Sequence, residues 1–182
     1  YPSCAADAKG LLKMACRMDD PVIFMEHKGL YRQGYAATEE PDADYLLSFG
    51  KGKKVLEGDE VTVITWGAMV QKSLEAIQSL EIPNQSVEVI DLRTLNPLDV
   101  DLIKTSITKT SKALVVHEDN ITSGPGAEIA AIIADKFFEL LDGPVRRVGA
   151  KDSPVPFNWI IEEEILPQTV DIANAIQELL EY

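Results

Sequence analysis

The sequence has few of the residues from which disulfide frameworks, metal sites and nucleophilic active sites are built. Its 182 residues include two cysteines and two histidines. Two cysteines cannot supply the several bridges of a small secreted domain, so Cys4 and Cys16 are expected to be free thiols in a reducing compartment. The two histidines lie far apart in the chain, which gives little material for a catalytic or metal-binding cluster.

Long apolar runs and an excess of basic residues are also absent. No run of about 18 apolar residues occurs, so no segment is predicted to span a membrane. Seventeen lysines and arginines stand against 30 aspartates and glutamates, which gives a net charge of −13 at pH 7. A surface of this sign repels nucleic-acid phosphates and anionic lipid, so neither is expected as a partner, whereas a basic protein is.

The first 50 residues have a different pattern from the remainder. Residues 5–18 have apolar side chains at helical spacing, and residues 22–25 form a short apolar run typical of a strand covered on both faces. One helix and one strand cannot enclose a core, so we interpret residues 1–35 as the tail of a preceding domain. The start at Tyr1 rather than methionine agrees with a chain cut from something longer, and residues 36–50 are predicted to be a linker.

From residue 51 onward, strands and helices alternate. This alternation predicts an α/β fold of three layers, with a mostly parallel sheet covered by helices on both faces. Residues 57–60 have the composition of a hairpin turn, so one antiparallel edge strand is expected. The predicted strands are residues 54–56, 61–66, 87–90, 113–117 and 145–148, and the predicted helices are residues 68–80, 100–108, 127–141 and 169–180.

A glycine-rich turn at residues 123–128 follows a strand and opens a helix. Dinucleotide phosphates can bind at such turns, which would make the protein a nucleotide-binding enzyme. The turn lacks the full glycine fingerprint, and Glu128 places a negative charge where a phosphate would lie. A role in packing the turn is therefore the favoured interpretation.

Four charged strings invite a catalytic or binding hypothesis but have simpler explanations. His117 and Glu118 could form a metal site or an acid/base pair, but strand alternation sends their side chains to opposite faces. The neighbours Glu26 and His27 are more simply the polar end of an apolar strand. Arg93 could hold an anion, although a structural ion pair at a strand end is favoured. Residues 162–164, three glutamates, are a solvated face or a surface for a basic partner.

Several strings, in their order along the chain, are together highly specific for one family. The chain resembles the beta subunits of thiamine-dependent 2-oxo acid dehydrogenases, from the end of the pyrimidine-binding domain through the carboxyl-terminal domain. The implied fold is that of the transketolase carboxyl-terminal domain. The strings are residues 7–12, 20–28 and 30–32, then VEVIDLRTLNPLD at 87–99, then 117–118 with 124–129, and finally 144–148 with 152–156.

The resemblance implies that the intact enzyme oxidatively decarboxylates a 2-oxo acid and acylates a lipoyl group. It also implies that thiamine diphosphate and magnesium are bound elsewhere in that enzyme. We therefore expect no catalytic and no cofactor-binding residue in these 182 residues, which alone are predicted to be inactive. Residues 7–10 and 30–33 are similar to branched-chain (2-oxoisovalerate) dehydrogenases, with the pyruvate enzyme as the alternative. The expected location is the bacterial cytoplasm, or the mitochondrial matrix in a eukaryote.

The resemblance assigns two sites to this chain. Some members bind potassium at positions that match Ala15, Met18 and Asp20, although Met18 departs from the family's usual residue. The basic subunit-binding domain of the dihydrolipoamide acyltransferase docks at positions that match Asp142 and the terminal carboxylate of Tyr182. The alpha part and a second beta part are the other implied partners. Alternatives are a stand-alone, non-catalytic binding module, or another thiamine enzyme such as a transketolase or a deoxyxylulose-phosphate synthase.

Overall fold

A computed structural model describes residues 1–83 and 85–182. In these residues a five-stranded sheet with the order β1-β3-β2-β4-β5 lies between two layers of helices. Strands β2 to β5 are mutually parallel, and β1 runs antiparallel to β3 at one edge, so the predicted fold class is confirmed. The strands are β1 Lys53–Leu56, β2 Val61–Thr65, β3 Val87–Asp91, β4 Ala113–Asn120 and β5 Arg146–Ala150.

The described residues also contain six α-helices and three short 3₁₀ turns. The predicted helix at the end of the chain has the expected bounds, and the others agree to within a few residues at most ends. The helices are α1 Ala5–Ala15, α2 Ala68–Ser79, α3 Val100–Thr110, α4 Pro125–Lys136, α5 Trp159–Ile165 and α6 Thr169–Leu180, and the 3₁₀ turns are Lys28–Arg32, Gly34–Ala36 and Phe138–Leu140.

The two faces of the sheet carry separate apolar clusters. Helices α2 and α6 pack on one face, where Val63 of β2 and Ile176 of α6 belong to the same buried cluster. Helices α3 and α4 pack on the other, where Ile64, the next residue of β2, and Ile107 of α3 belong to a second buried cluster. Each of these side chains is fully buried, which stabilises the fold by about 1.5–3 kcal/mol per residue. Every residue of β2 is buried because alternate side chains enter opposite clusters.

The predicted hairpin between β1 and β2 is wrong. β1 pairs with β3, because both edges of β2 are occupied by the parallel strands β3 and β4. The connection passes close over the start of β3, where a Cβ added to Gly58 would lie 2.1 Å from the backbone carbonyl carbon of Val87. The turn composition of residues 57–60 therefore indicated a change of direction but not the strand that would be paired.

Two other predictions fail in physically different ways. Residues 22–25 are not a strand: no described strand pairs with them, and Ile23 is 88% exposed. The helix predicted to reach residue 141 ends at Lys136, because Phe137 leaves the helical conformation with φ at −129°, and the chain continues as a 3₁₀ turn. Helix α5 was not predicted.

Candidate functional site

The carboxyl ends of β2, β3 and β4 meet where ligands usually bind in open α/β sheets, because the connections diverge there. In this chain the residues before β1 cover that edge. The Tyr1 ring lies so close to the turn after β2 that a Cβ on Gly67 would approach it to 2.3 Å. Gly67 also has φ at +59°, so a side chain is excluded there on two grounds. The crevice is thus the junction between the first 50 residues and the sheet.

A buried ion pair forms the centre of this junction. Arg93, just after β3, donates from Nε and Nη2 to the two carboxylate oxygens of Asp7, each at 2.8 Å. Both residues are buried, with 9% and 2% of their surface exposed. The structural ion pair favoured for Arg93 is confirmed, and its guanidinium fork is already engaged by a carboxylate. Arg93 has φ at +59°, a conformation that is uncommon for a residue with a side chain.

The last residue of β3 adds a second buried carboxylate beside this pair. Asp91 accepts hydrogen bonds from the Ser3 hydroxyl and from the Arg93 backbone N–H, the latter at 2.9 Å. Burial raises the pKa of Asp91 to about 6, and these two hydrogen bonds oppose the increase. A group with this pKa changes its charge near neutral pH.

The two strings that invited an acid/base hypothesis come together here. His27 Nε2 lies 3.1 Å from Glu118 Oε1, and both side chains are half-buried. The hydrogen bond to Glu118 raises the pKa of His27, while burial lowers it by a smaller amount. Glu26 turns away and accepts a hydrogen bond of 2.6 Å from the Tyr31 hydroxyl. The pair links the residues before β1 to the carboxyl end of β4. This agrees with the interpretation that the end of β4 lies at an interface.

His117 faces the opposite side of β4 from Glu118, as alternation predicted. It is fully buried and stacks on Trp66, with ring centroids 5.7 Å apart and planes 2° from parallel. A Cβ on Gly126 would lie 2.2 Å from the imidazole, so the packing role favoured for the glycine turn is confirmed. Burial lowers the pKa of His117, which favours the neutral form of the ring.

The two residues predicted to dock the acyltransferase lie near each other. Asp142 is exposed and Tyr182 is 69% exposed. The link between them is Gly143, where an added Cβ would lie 3.2 Å from the Tyr182 ring. The structure thus places the residue after Asp142 beside the Tyr182 ring.

The three residues predicted to bind potassium lie at the end of α1. The Ala15 carbonyl oxygen accepts a hydrogen bond of 3.2 Å from the Met18 N–H, and both Met18 and Asp20 are exposed. They offer one carboxylate and backbone oxygens, which is fewer ligands than a potassium ion needs, so a site here requires oxygen atoms from elsewhere. In residues 1–83 and 85–182, no three His, Cys, Asp or Glu side chains are grouped as metal ligands.

Some residues of the junction were missed in the sequence. Asp7 is a polar residue in an amphipathic helix, and Trp66 was predicted only as the last residue of a strand. Asp7 pairs with Arg93 and Trp66 stacks on His117, and each pair is separated by 51 or more residues in the chain. The spacing of residues within one helix or strand cannot reveal such contacts. The predicted apolar face was Leu11, Leu12, Ala15 and Met18, whereas the structure buries Asp7, Gly10 and Leu11 of α1 and leaves Leu12 and Met18 exposed.

Taken together, these features define the chain as a doubly wound α/β domain whose carboxyl edge is closed by a preceding segment. A family-model comparison is more specific: the family described as "Transketolase, C-terminal domain" matches residues 50–172. The chain therefore belongs to the transketolase C-terminal domain family.

Curated relatives extend the similarity to the whole chain. The pyruvate dehydrogenase E1 component subunit beta of Staphylococcus aureus is 42% identical over 181 residues, covering 100% of this chain and 55% of the relative. The Staphylococcus epidermidis protein of the same name is 41% identical with the same coverage. The chain thus spans about half the length of the curated relatives it matches.

A solved structure supports the fold. The structure described as "Split gene transketolase, inactive beta4 tetramer" has a TM-score of 0.75 and 24% sequence identity, covering 99% of this chain and 56% of that one. In this chain, no helix within residues 1–83 and 85–182 has both the length and the apolarity to cross a bilayer.

Proposed function

We propose that this chain is the carboxyl-terminal part of the beta subunit of a thiamine-dependent 2-oxo acid dehydrogenase, and that it serves subunit assembly and docking. The observation that carries the proposal is the 42% identity over the whole chain. This similarity includes the residues before position 50, which lie outside the transketolase family match. The relatives are therefore similar in the junction as well as in the sheet domain.

The proposal divides the chain into three parts. Residues 1–35 are the tail of the pyrimidine-binding domain, residues 36–50 are a linker, and residues 51–182 are the transketolase C-terminal domain. The carboxyl edge, where a ligand would bind in an open sheet, is closed by the chain's own Asp7, His27 and Tyr1. This closure supports a role in holding domains together, with thiamine diphosphate and magnesium bound in other parts of the intact enzyme.

The 2-oxo acid used by the intact enzyme is a separate question. The relatives named above are pyruvate dehydrogenase subunits, which supports pyruvate. The strings at residues 7–10 and 30–33 led instead to the branched-chain acid, which stays a prediction. The ratio of kcat/KM for pyruvate to kcat/KM for 2-oxoisovalerate, measured on the assembled enzyme, distinguishes the two.

The proposed docking surface consists of Asp142 and Tyr182, facing a basic acyltransferase subunit-binding domain. Three observations support this surface. Both residues are exposed, and Gly143, the neighbour of Asp142, lies beside the Tyr182 ring. The chain also carries a net charge of −13, which suits a basic partner. Potassium at Ala15, Met18 and Asp20 remains a prediction, with further ligands supplied upstream.

Charge reversal tests the docking proposal. We expect Asp142→Lys to weaken binding of the subunit-binding domain by about tenfold, which corresponds to ~1.4 kcal/mol, without lowering the melting temperature. Asp135→Lys is the matched control, since Asp135 is an exposed aspartate on α4 and lies outside the docking surface. Isothermal titration at low and high salt provides the measurement. Equal affinity of both variants at low salt would exclude Asp142 from the site.

A further inference from the structure

A cleft of about 390 Å³ lies beside the junction, between the start of α1 and the 3₁₀ turns that follow His27. This volume falls within the range of about 300–1,000 Å³ that is typical of small-molecule sites. Such sites have a mostly apolar wall and a few polar groups that converge on the ligand. The apolar side chains of this wall are short or aliphatic, and its alanines leave the space open: Pro2, Ala5, Ala8, Leu30, Ala36 and Ala37.

The start of α1 gives this wall an affinity for an anionic group. Cys4, the N-cap residue, makes no side-chain hydrogen bond to the helix, so the first turn lacks the oxygen that usually caps it. The Ala6 N–H donates to Thr38 Oγ1 at 2.8 Å. The N–H groups of Ala5 and Asp7 have no oxygen acceptor within residues 1–83 and 85–182. These N–H groups and the helix dipole together favour a carboxylate at this position.

His27 adds a positive charge to the same wall. Its Nε2 lies 3.1 Å from the Glu118 carboxylate, and this hydrogen bond favours the protonated ring and raises the pKa of His27. The other ring nitrogen, Nδ1, is buried and makes no hydrogen bond within the part of the chain that the structure describes. The protonated imidazole therefore has a second donor, which suits a carboxylate that enters the cleft.

Glu26 places the opposite charge next to this donor. Its Oε2 accepts a hydrogen bond of 2.6 Å from the Tyr31 hydroxyl, which holds the carboxylate at the wall of the cleft. A carboxylate at this position attracts an ammonium group and repels a ligand that carries negative charge alone. Because Glu26 and His27 are neighbours in the chain, the two charges that they select lie close together in the ligand.

An aliphatic α-amino acid has all three of these features. Its carboxylate and ammonium groups are attached to one carbon atom, and its side chain is apolar. The corresponding 2-oxo acid has the carboxylate and the apolar chain but lacks the ammonium group. The corresponding amine lacks the carboxylate. Charge complementarity therefore distinguishes the amino acid from both of these relatives.

We propose that the cleft between α1 and residues 26–37 binds a free aliphatic α-amino acid. Its carboxylate faces the start of α1 and His27, its ammonium group faces Glu26, and its side chain contacts the alanines of the wall. This inference goes beyond the proposed function and does not depend on it.

A series of ligands tests the two charges separately. Isothermal titration uses the full-length polypeptide that contains these 182 residues, without thiamine diphosphate, and compares L-valine with 2-oxoisovalerate and isobutylamine. We expect saturable binding of L-valine and an affinity lower by about tenfold or more for each of the others, because each loses one charge-assisted contact. No saturable binding of L-valine, or an equal affinity for 2-oxoisovalerate, would overturn the inference.

Variants of the wall test the placement of the ligand. Glu26→Gln removes the charge but keeps an acceptor for Tyr31, and should weaken L-valine binding about tenfold. Glu39→Gln is the matched control, since Glu39 is also exposed but lies outside the cleft, and should leave the affinity unchanged. Ala8→Leu should abolish binding because the larger side chain fills the cleft, whereas leucine is well tolerated in a helix. Wild-type affinity in Glu26→Gln or Ala8→Leu, with melting temperatures unchanged, would contradict the proposal.

The two cysteines provide an independent measurement of position. Cys4 lies on the wall of the cleft, whereas Cys16 is exposed and lies outside it. L-Valine should slow the alkylation of Cys4 by N-ethylmaleimide and leave that of Cys16 unchanged, as followed by mass spectrometry of the peptides. Equal alkylation of Cys4 with and without saturating L-valine would place the amino acid elsewhere and overturn the inference. That result would leave the proposed function standing, because assembly and docking are measured separately.

Discussion

Residues 1–50 and residues 51–182 are held in place by different kinds of interaction. The second region has an apolar cluster on each face of its sheet, so its position is determined by many buried side chains. The first region contributes three buried residues from α1 and is joined to the sheet largely through polar contacts with Arg93 and Glu118. A single substitution should therefore lower the free energy of unfolding most at the junction, because few contacts hold the first region on the sheet.

The largest effect is expected from Asp7→Ala. This change leaves the Arg93 guanidinium buried without its carboxylate partner, which costs about 3–5 kcal/mol. Lys9→Ala in the same helix is the matched control, because its partner Glu40 is exposed to solvent, where ion pairs contribute little to stability. Urea unfolding gives the free energies, and limited proteolysis shows whether the first region is released. Similar losses for the two variants would mean that burial does not distinguish the two pairs.

Within the second region, Gly126→Ala should be the most damaging small change. The added methyl group would overlap the His117 ring, which cannot retreat because it stacks on Trp66, and overpacking of this kind costs about 1–3 kcal/mol. Gly34→Ala provides the comparison, since a Cβ at Gly34 meets nothing within 4 Å. Melting temperatures decide the outcome. An unchanged value for Gly126→Ala would show that the glycine turn has room for a side chain.

Asp91 should make the junction sensitive to pH in an unusual direction. Its folded pKa of about 6 lies above the ordinary value of 3.8, so the folded state binds a proton more tightly than the unfolded state. The resulting stabilisation is present below pH 4 and is lost as the pH rises through 6, on the order of 3 kcal/mol in total. Asp91→Asn removes this dependence, so its stability relative to wild type should increase from pH 4.5 to pH 7.5 in urea titrations. Parallel curves for the two proteins would disprove the shifted titration.

The smallest effect is expected from Glu118→Gln. Because the hydrogen bond to Glu118 raises the pKa of His27, the contribution of the pair is present below about pH 6.5 and is lost as the pH rises through the folded value. Partial exposure keeps this contribution below about 1 kcal/mol. A nuclear magnetic resonance titration of the His27 ring should show a lower pKa in the variant, while that of buried His117 stays unchanged. Identical His27 titrations in the two proteins would rule out the pair.

The sequence predicted the second region well because its secondary structure follows from local periodicity. The apolar strands β2, β3 and β4 and the amphipathic helices α2, α3 and α6 were each identified from residues inside the element itself. The pairing of β1 was not, since it depends on both edges of β2 being occupied by β3 and β4. Helix α5 was missed because its apolar side chains face solvent and give no buried stripe.

For the junction, the sequence indicated the residues but not their partners. Arg93 was predicted to form an ion pair, but its partner Asp7 lies 86 residues earlier in the chain. The strings at 26–27 and 117–118 were weighed separately, although His27 and Glu118 form one pair. Residues 22–25 were predicted as a strand from their apolarity, which does not by itself supply a neighbouring strand.

The contrast between the two tryptophans gives the chain a pair of built-in optical reporters. Trp66 lies in the interior against His117, whereas Trp159 is 66% accessible. A neutral quencher such as acrylamide should quench the emission of Trp159 while sparing that of Trp66, and a partner that covers Trp159 should remove the quenched fraction. Fluorescence alone can thus separate occupancy of the outer surface from loosening of the inner stack, without an attached dye.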